Sequence, residues 1–370
     1  ECTSLTAINV ASGNEAFYSA GGVLFTYDRK TLLEYPAGKT DAKYTVPSGT
    51  ETISYEAFYE NHYIEQVVLP SGLEYIGTWA FEGCSNLKTP VLPDGVKGIG
   101  GGAFNGTSVV YEEYNGVYYL GTASNKHYAC VNWSDYLTEY VLHSDTKLVC
   151  GDAFCFHSDV EKIVLPEGLK YIGTYAFEYT YELTDISIPS TVETIGAYAF
   201  YYTGKSEFTI PGGVKEIENS AFERNDHLTD LVIEEGVKII GMSAFMYCFE
   251  LKTVTIPASV TEIRDYAFGY DDAIETVYYG GSEAQWNKLT KDLNWSNEAL
   301  LNAKVIFGAV TEPGDCNGDG VVNNKDVVLL FKYVSEQEVT VVESACDFNG
   351  DGFVNNKDVS ALFKKVSAGT

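Results

Sequence analysis

The sequence predicts an α+β chain in two parts. A curved solenoid of short repeats, with short strands on its concave face, precedes a small all-α module of two loop–helix units. Three observations lead there. The dipeptide Ala-Phe recurs at 57–58, 80–81, 103–104, 153–154, 176–177, 199–200, 221–222, 244–245 and 267–268, in steps of 22 or 23 with one step of 50. A twelve-residue acidic loop, DCNGDGVVNNKD at 315–326, returns 32 positions later as DFNGDGFVNNKD at 347–358. Apolar residues at helical spacing follow each loop, VVLLFKYVS at 327–335 and VSALFKKVS at 359–367.

Composition narrows the function classes. With 45% hydrophobic residues in 370, the chain can bury a sizeable core, which excludes wholesale disorder. A formal net charge of −28 makes nucleic acid and anionic membrane surfaces poor partners, because like charges repel. Residues 313–370 carry nine Asp/Glu against five Lys/Arg, so most of the acidity belongs to the larger part. No apolar run reaches transmembrane length, so no membrane span is expected.

Around each Ala-Phe lies a longer pattern, as in LKTVTIPASVTEIRDYAFGY at 251–270 and YELTDISIPSTVETIGAYAFYY at 181–202. The V-x-I piece alternates with period two and reads as a short strand. Proline ends it, since it cannot donate to a ladder. The following V-x-x-I-x-x-x-A-F places apolar groups at turn-like spacings behind the strand. One such unit cannot bury its own face, so neighbours must stack. This pattern resembles the BspA-type leucine-rich repeat family of bacterial surface and secreted proteins, over residues 1–308. The resemblance implies a leucine-rich-repeat solenoid. Residues 11–44 and 109–148 depart from the pattern and look like that family's hairpin-bearing inserts, the second explaining the step of 50. Residues 275–308 resemble its C-terminal cap. CTSLTAINV at 2–10 matches CSNLKTPVL at 84–92, so the chain opens in mid-repeat and is expected to continue N-terminal of Glu1 or to expose a raw repeat edge.

Cys2, Cys84 and Cys248 share one repeat position and are expected to stack inward as small hydrophobes. The positions of Cys130, Cys150 and Cys155, and of Cys316 and Cys346, leave a disulfide within each group open. Cys155 and His157 are the pair to weigh as a nucleophile and base, but groups two residues apart rarely form a dyad. His62, His127, His143 and His227 stand singly, and no GxSxG, HExxH or Walker pattern occurs. The expectation is that the chain has no catalytic residues and is not an enzyme.

The doubled loop carries the clearest chemistry. Positions 1, 3, 5, 9 and 12 are Asp315, Asn317, Asp319, Asn323 and Asp326 in the first copy, and Asp347, Asn349, Asp351, Asn355 and Asp358 in the second. Calcium takes six to eight oxygens. These side chains, with the position-7 carbonyls of Val321 and Phe353, supply them, and Gly320 and Gly352 permit the sharp turn. A plain polar loop rich in Asx-turns is the bland alternative, and two copies with every ligand position filled argue against it. Position 12 is Asp where an EF-hand has Glu, and no helix enters the first loop.

This unit resembles a dockerin, the two-fold calcium-loop module of cellulosomal proteins, with a short linker at 309–314 and the module at 315–370. The resemblance implies two Ca2+ and a cohesin module of a scaffoldin as partner. It also implies a secreted, extracellular protein attached to the cellulosome of an anaerobic bacterium, and so a part in polysaccharide degradation. Cohesin contacts in that family depend on loop positions 10 and 11 and the following helix. Here these are Asn324, Lys325, Val328, Leu329 and Lys332 in one copy, and Asn356, Lys357, Ser360, Ala361 and Lys364 in the other. The identical Asn-Lys pairs point to two binding orientations, whereas the helix residues differ between copies.

For the repeat array, an aromatic stripe two residues past Ala-Phe (Phe156, Tyr179, Tyr202, Tyr247 and Tyr270) is the candidate ligand platform. Its alternative is that the rings fill the space between repeats. The leading expectation is protein recognition by a non-catalytic subunit. Plant-cell-wall glycan binding is the alternative, with an enzyme or enzyme regulator behind it.

Overall fold

The computed structural model describes residues 2–291, 293, 295–307, 314, 316, 322–335, 337, 339, 341, 343–349 and 353–368. Most repeats contribute two short strands in place of the single strand read from V-x-I. The V-x-I strands pair in parallel, Glu207–Ile210 with Asp230–Ile233, then Thr253–Ile256, then Thr276–Tyr279. Period-two alternation holds along them: Val254 and Ile256 are fully buried while Thr253 and Thr255 face outward. The x-I pair further along each repeat forms a second parallel ladder, as Ile195↔Ile217 and Ile217↔Ile240 show. Periodicity missed it because two residues are too few for alternation to register.

Behind both ladders the Ala-Phe dipeptides stack as a column. Phe58, Phe81 and Phe104 follow one another at centroid distances of 4.7 and 5.3 Å, and Phe154, Phe177, Phe200, Phe222, Phe245 and Phe268 at 5.0–5.6 Å. All nine are buried. A buried aromatic side chain is among the largest single hydrophobic contributions available to a core, and each repeat supplies one.

The two inserts each begin a block of repeats. Antiparallel strands Phe17–Ala20, Val23–Thr26 and Thr31–Glu34 lead into the parallel pairs at Thr52–Ile53, Tyr75–Ile76 and Gly98–Ile99. Antiparallel strands Glu112–Tyr114, Val117–Leu120 and Ala129–Trp133 lead likewise into Leu148–Val149 and Tyr171–Ile172. The repeat register resumes earlier than the sequence pattern indicates. Lys43–Thr45 already pairs with Gln66–Val68, and Glu139–Val141 with Lys162–Val164. Both strands fall inside the stretches read as inserts, because Ala-Phe lies at the end of its repeat and the strand precedes it.

The second insert is a partition. Val117, Tyr119 and Cys130 pack into the core of the later block, whereas Leu120 and Ala129 pack into that of the earlier one. Adjacent strand residues point to opposite faces, so one hairpin closes two cores.

At the other end, Glu283–Leu289 and Glu298–Asn302 are helices that place Trp286 and Leu300 over the last repeat. Ser282 and Gln285 close a capping box at the first of them. Lys304–Phe307 then adds a final parallel strand to Thr276–Tyr279. Among the described residues, no helix is long and apolar enough to cross a membrane.

Cys84 and Cys248 are buried as expected, but Cys2 is exposed. Cys130, Cys150 and Cys155 are thiols, with no disulfide among them. Cys316 and Cys346 both lie in the core of the C-terminal module, with Leu330 and Leu362.

Candidate functional site

The C-terminal module is built as two equivalent halves. Helix Asn324–Val334 is capped by Asn323, whose side-chain oxygen accepts the Lys325 N–H at 2.8 Å. Asp326 returns the favour and accepts the Asn323 N–H at 2.9 Å. Helix Asn356–Ala368 starts the same way: Asn355 accepts from Lys357 N–H at 2.9 Å, and Asp358 accepts from Asn355 N–H at 2.8 Å. Asp358 also accepts the Asn349 N–H at 3.0 Å, which ties the loop to its helix. The two helices pack through Leu330 and Leu362, both fully buried.

Of the calcium ligands expected from sequence, Asn323, Asp326, Asp347, Asn349, Phe353, Asn355 and Asp358 are described. Asp315, Asn317, Asp319, Val321 and Asp351 lie outside the described residues. The described set fits a hard cation on two counts. Every donor is oxygen, the preference of calcium. Asp326 and Asp358 are both 0% exposed, and a carboxylate is costly to bury unless it is paired, hydrogen-bonded or bound to metal.

The expected cohesin contacts divide in two. Asn324, Lys325, Val328, Lys332, Asn356, Lys357, Ser360 and Lys364 are exposed. Leu329 and Ala361 are half-buried, and Leu329 packs on the module's core, since it follows the helix turn inward. Sequence reasoning missed Phe331 and Phe363, which occupy the same helix position in the two copies and are 53% and 55% exposed. The signal was available: Phe331 and Phe363 recur 32 residues apart within a shared LFK tripeptide.

On the repeat array, the aromatic stripe forms two groups, Phe156 with Tyr179 and Tyr202, and Arg224 with Tyr247 and Tyr270. Phe156 stacks on Tyr179 at 5.0 Å and 11°, and Tyr247 on Tyr270 at 4.9 Å and 15°. Tyr202 meets Tyr179 edge-on, and the Arg224 guanidinium lies 4.9 Å over the Tyr247 ring. All of these residues adopt left-handed backbone conformations, φ between 56° and 65°. Gly83 and Gly106 hold the same repeat position, which was the sequence cue to that conformation. A second left-handed position precedes each Ala-Phe, at Trp79, Tyr175, Tyr198 and Tyr266 among others, and Tyr175 stacks on Tyr198 at 5.1 Å. In each stacked pair the rings cover the two faces that meet, and the Arg224 guanidinium covers the other face of Tyr247, while the outer rings Phe156 and Tyr270 stay open. The rings thus pack between repeats, with Phe156 and Tyr270 more than half exposed.

The outward strand face is polar in the later block. Glu207, Asp230, Thr253 and Thr276 align in register. The hydroxyl of Thr253, then that of Thr229, hold the Asp230 carboxyl below its ordinary value. Valines interrupt this face in both blocks: Val68 in the earlier one, and Val141, Val164 and Val232 in the later one, are exposed.

The Cys155–His157 pair does not assemble. Cys155 Sγ donates to Glu178 at 3.3 Å, and burial together with that carboxylate pushes the thiol far above its ordinary value. His157 is buried, with Nε2 2.7 Å from the Tyr140 hydroxyl.

The family model for the BspA type leucine rich repeat region matches in six copies, at residues 42–126 and 149–275. The model for the dockerin type I domain matches residues 313–367. No curated protein matches the chain. Among solved structures, a leucine rich repeat protein of T. pallidum is 21% identical, covering 66% of this chain and 91% of that one, with a TM-score of 0.25. A leucine rich cell surface protein of Faecalibacterium prausnitzii is 18% identical, covering 77% and 100%, with a TM-score of 0.28. The pneumococcal vaccine antigen PcpA is 19% identical, covering 82% and 92%, with a TM-score of 0.38.

Proposed function

We propose that this chain, which belongs to the family of BspA-type leucine-rich repeat proteins and ends in a dockerin type I domain, is a non-catalytic subunit of a cellulosome-type assembly. The dockerin docks it on a cohesin in a calcium-dependent way, and the repeats recognise a protein. The observation that supports docking most is the equivalence of Asp326 and Asp358, two buried carboxylates with the same backbone partner in two half-modules. Calcium bound there supplies the positive charge that lets several carboxylates share one loop. Asp315, Asn317, Asp319, Asn323, Asp326 and the Val321 carbonyl would hold one ion. Asp347, Asn349, Asp351, Asn355, Asp358 and the Phe353 carbonyl would hold the other. The exposed helix residues, now including Phe331 and Phe363, form the cohesin face.

For the repeats, the stacking of the aromatic stripe favours protein over glycan. Sugar rings dock on a row of open aromatic faces, whereas here each stacked pair buries the two faces between its rings. Hydroxyl-bearing edges beside an acidic strand face suit a partner surface with polar and basic groups. The test is capture of a cohesin panel by the full chain, in calcium and in excess EDTA, alongside a plant-cell-wall glycan array. Calcium-dependent capture of a cohesin and a blank glycan array are expected. EDTA-insensitive capture would overturn the calcium reading. Glycan binding lost in Tyr179→Ala/Tyr202→Ala would replace protein recognition with carbohydrate recognition.

A further inference from the structure

The hairpin partition interrupts the phenylalanine column between Phe104 and Phe154 and opens a cleft of about 280 Å³. Trp79, Asn105, Tyr111, Tyr118, Asn132 and Asp152 line it. Pockets for drug-sized ligands run from about 300 to 1,000 Å³, so this one suits a single side chain and not a run of sugars.

Its one charge is built in. Asp152 sits at a left-handed position, φ 57°, with its N–H donating to the Thr174 carbonyl at 3.1 Å. Its carboxylate lies against Gly101 so closely that a methyl group there would fall 1.7 Å from Oδ2. Among the described residues, neither a cation nor a hydrogen-bond donor is placed on that carboxylate. Burial raises its pKa, which reports how little water compensates it. Around it stand three aromatic rings. Tyr111 and Tyr118 lie 5.7 Å apart at 36°, both half-buried, and the Trp79 indole packs over Gly102.

A half-buried carboxylate walled by aromatic rings lacks one thing, a cation with a flat or apolar body. Guanidinium meets both demands, because it pairs with carboxylates and stacks on aromatic faces. The net charge of −28 draws such groups toward the surface. We infer that this cleft is a binding site for an arginine side chain of a partner protein, an inference that rests on the protein-recognition reading above. Asp152 pairs with the guanidinium, and Trp79, Tyr111 and Tyr118 pack on it.

The experiment follows the Trp79 indole N–H resonance of the calcium-loaded full chain, identified by its loss in Trp79→Phe. The probe is Nα-acetyl-L-arginine amide, with cellobiose in parallel. Saturable shifts with the arginine amide and none with cellobiose are expected. Asp152→Asn should weaken binding at least about tenfold, since it removes the paired charge. Asn132→Asp should tighten it by adding a second one. Unchanged affinity in both variants, with melting temperatures at the wild-type value, would overturn the proposal, as would a response to cellobiose alone. Panning the wild type and Asp152→Asn against a displayed peptide library separates this site from the wider reading. If both select the same peptides without arginine, the cleft fails and protein recognition stands. If arginine amide binds but neither form selects a peptide, the cleft's affinity for guanidinium stands and its assignment to a partner protein is overturned.

Discussion

Asn225 and Cys248, one repeat apart, place their side chains on the same acceptor, the carbonyl oxygen of Phe222, at 2.7 and 3.4 Å. Asn225 also donates to the Phe200 carbonyl at 2.8 Å and accepts the Thr203 N–H at 3.1 Å. In the first block Cys84 Sγ likewise donates to the Phe58 carbonyl at 3.0 Å, whereas the Asn61 amide donates to the Pro36 and Lys39 carbonyls, each at 3.0 Å. Asp271 continues the row by accepting the Cys248 N–H at 2.7 Å. This row satisfies the backbone of the turn that carries the phenylalanine column. The cysteines in it act as weak donors as well as small apolar groups.

Asn225→Ala should therefore destabilise the repeat array by about 3 kcal/mol or more, because several buried backbone groups lose their partner at once, at roughly 1–3 kcal/mol each. Cys248→Ala should cost only about 1 kcal/mol. Urea midpoints of the two variants check the difference.

The same contrast separates the column from the stripe. Phe200→Ala should cost about 3–5 kcal/mol, the range for a buried aromatic. Phe156→Gly should stay within about 1 kcal/mol of wild type, since relief of the left-handed backbone offsets the lost stacking on Tyr179. Equal losses in thermal stability would show that the stripe is core.

Acid should loosen the second insert. The rings of His127 and His143 stack at 3.9 Å, with Tyr114 and Tyr119 against them and Glu112, Asp145 and Lys126 close by. Burial first, then His143, hold His127 below its ordinary value of 6.5, and burial does the same for His157. The unfolded chain thus binds more protons than the folded one as pH falls through 6.5. Stability is full above that pH and declines toward about pH 5, where an ordinary imidazole is charged. His127→Gln should flatten the dependence of melting temperature on pH between 5 and 7, and an unchanged slope would exclude this pair as its source.

Phe331 and Phe363 should be interchangeable in cohesin binding if either helix can serve. Each single alanine variant should then weaken binding by less than about tenfold, and the double variant by more than about a hundredfold, as expected for exposed aromatic anchors. A full loss in one single variant would identify the helix that is used. Surface plasmon resonance with a captured cohesin reads this directly.

Local pattern by itself determined the solenoid, the phenylalanine column and the oxygen-donor loops. A period of about 23 residues brings each Ala-Phe onto the next, and the oxygen-bearing residues of each twelve-residue loop are close in sequence. Its reach ended where partners lie far apart along the chain. The register of Glu139–Val141, the second parallel ladder and the sharing of Phe222 across repeats depend on which strand lies alongside which. The stripe could be listed from spacing, but only the angle between Tyr179 and Phe156 decided that the faces between them are covered. Asp152 is the plainest case. In the sequence it is one acidic residue beside Ala-Phe, and only the tertiary structure, by inserting a hairpin between two cores, set its carboxylate against Gly101 among three aromatic rings.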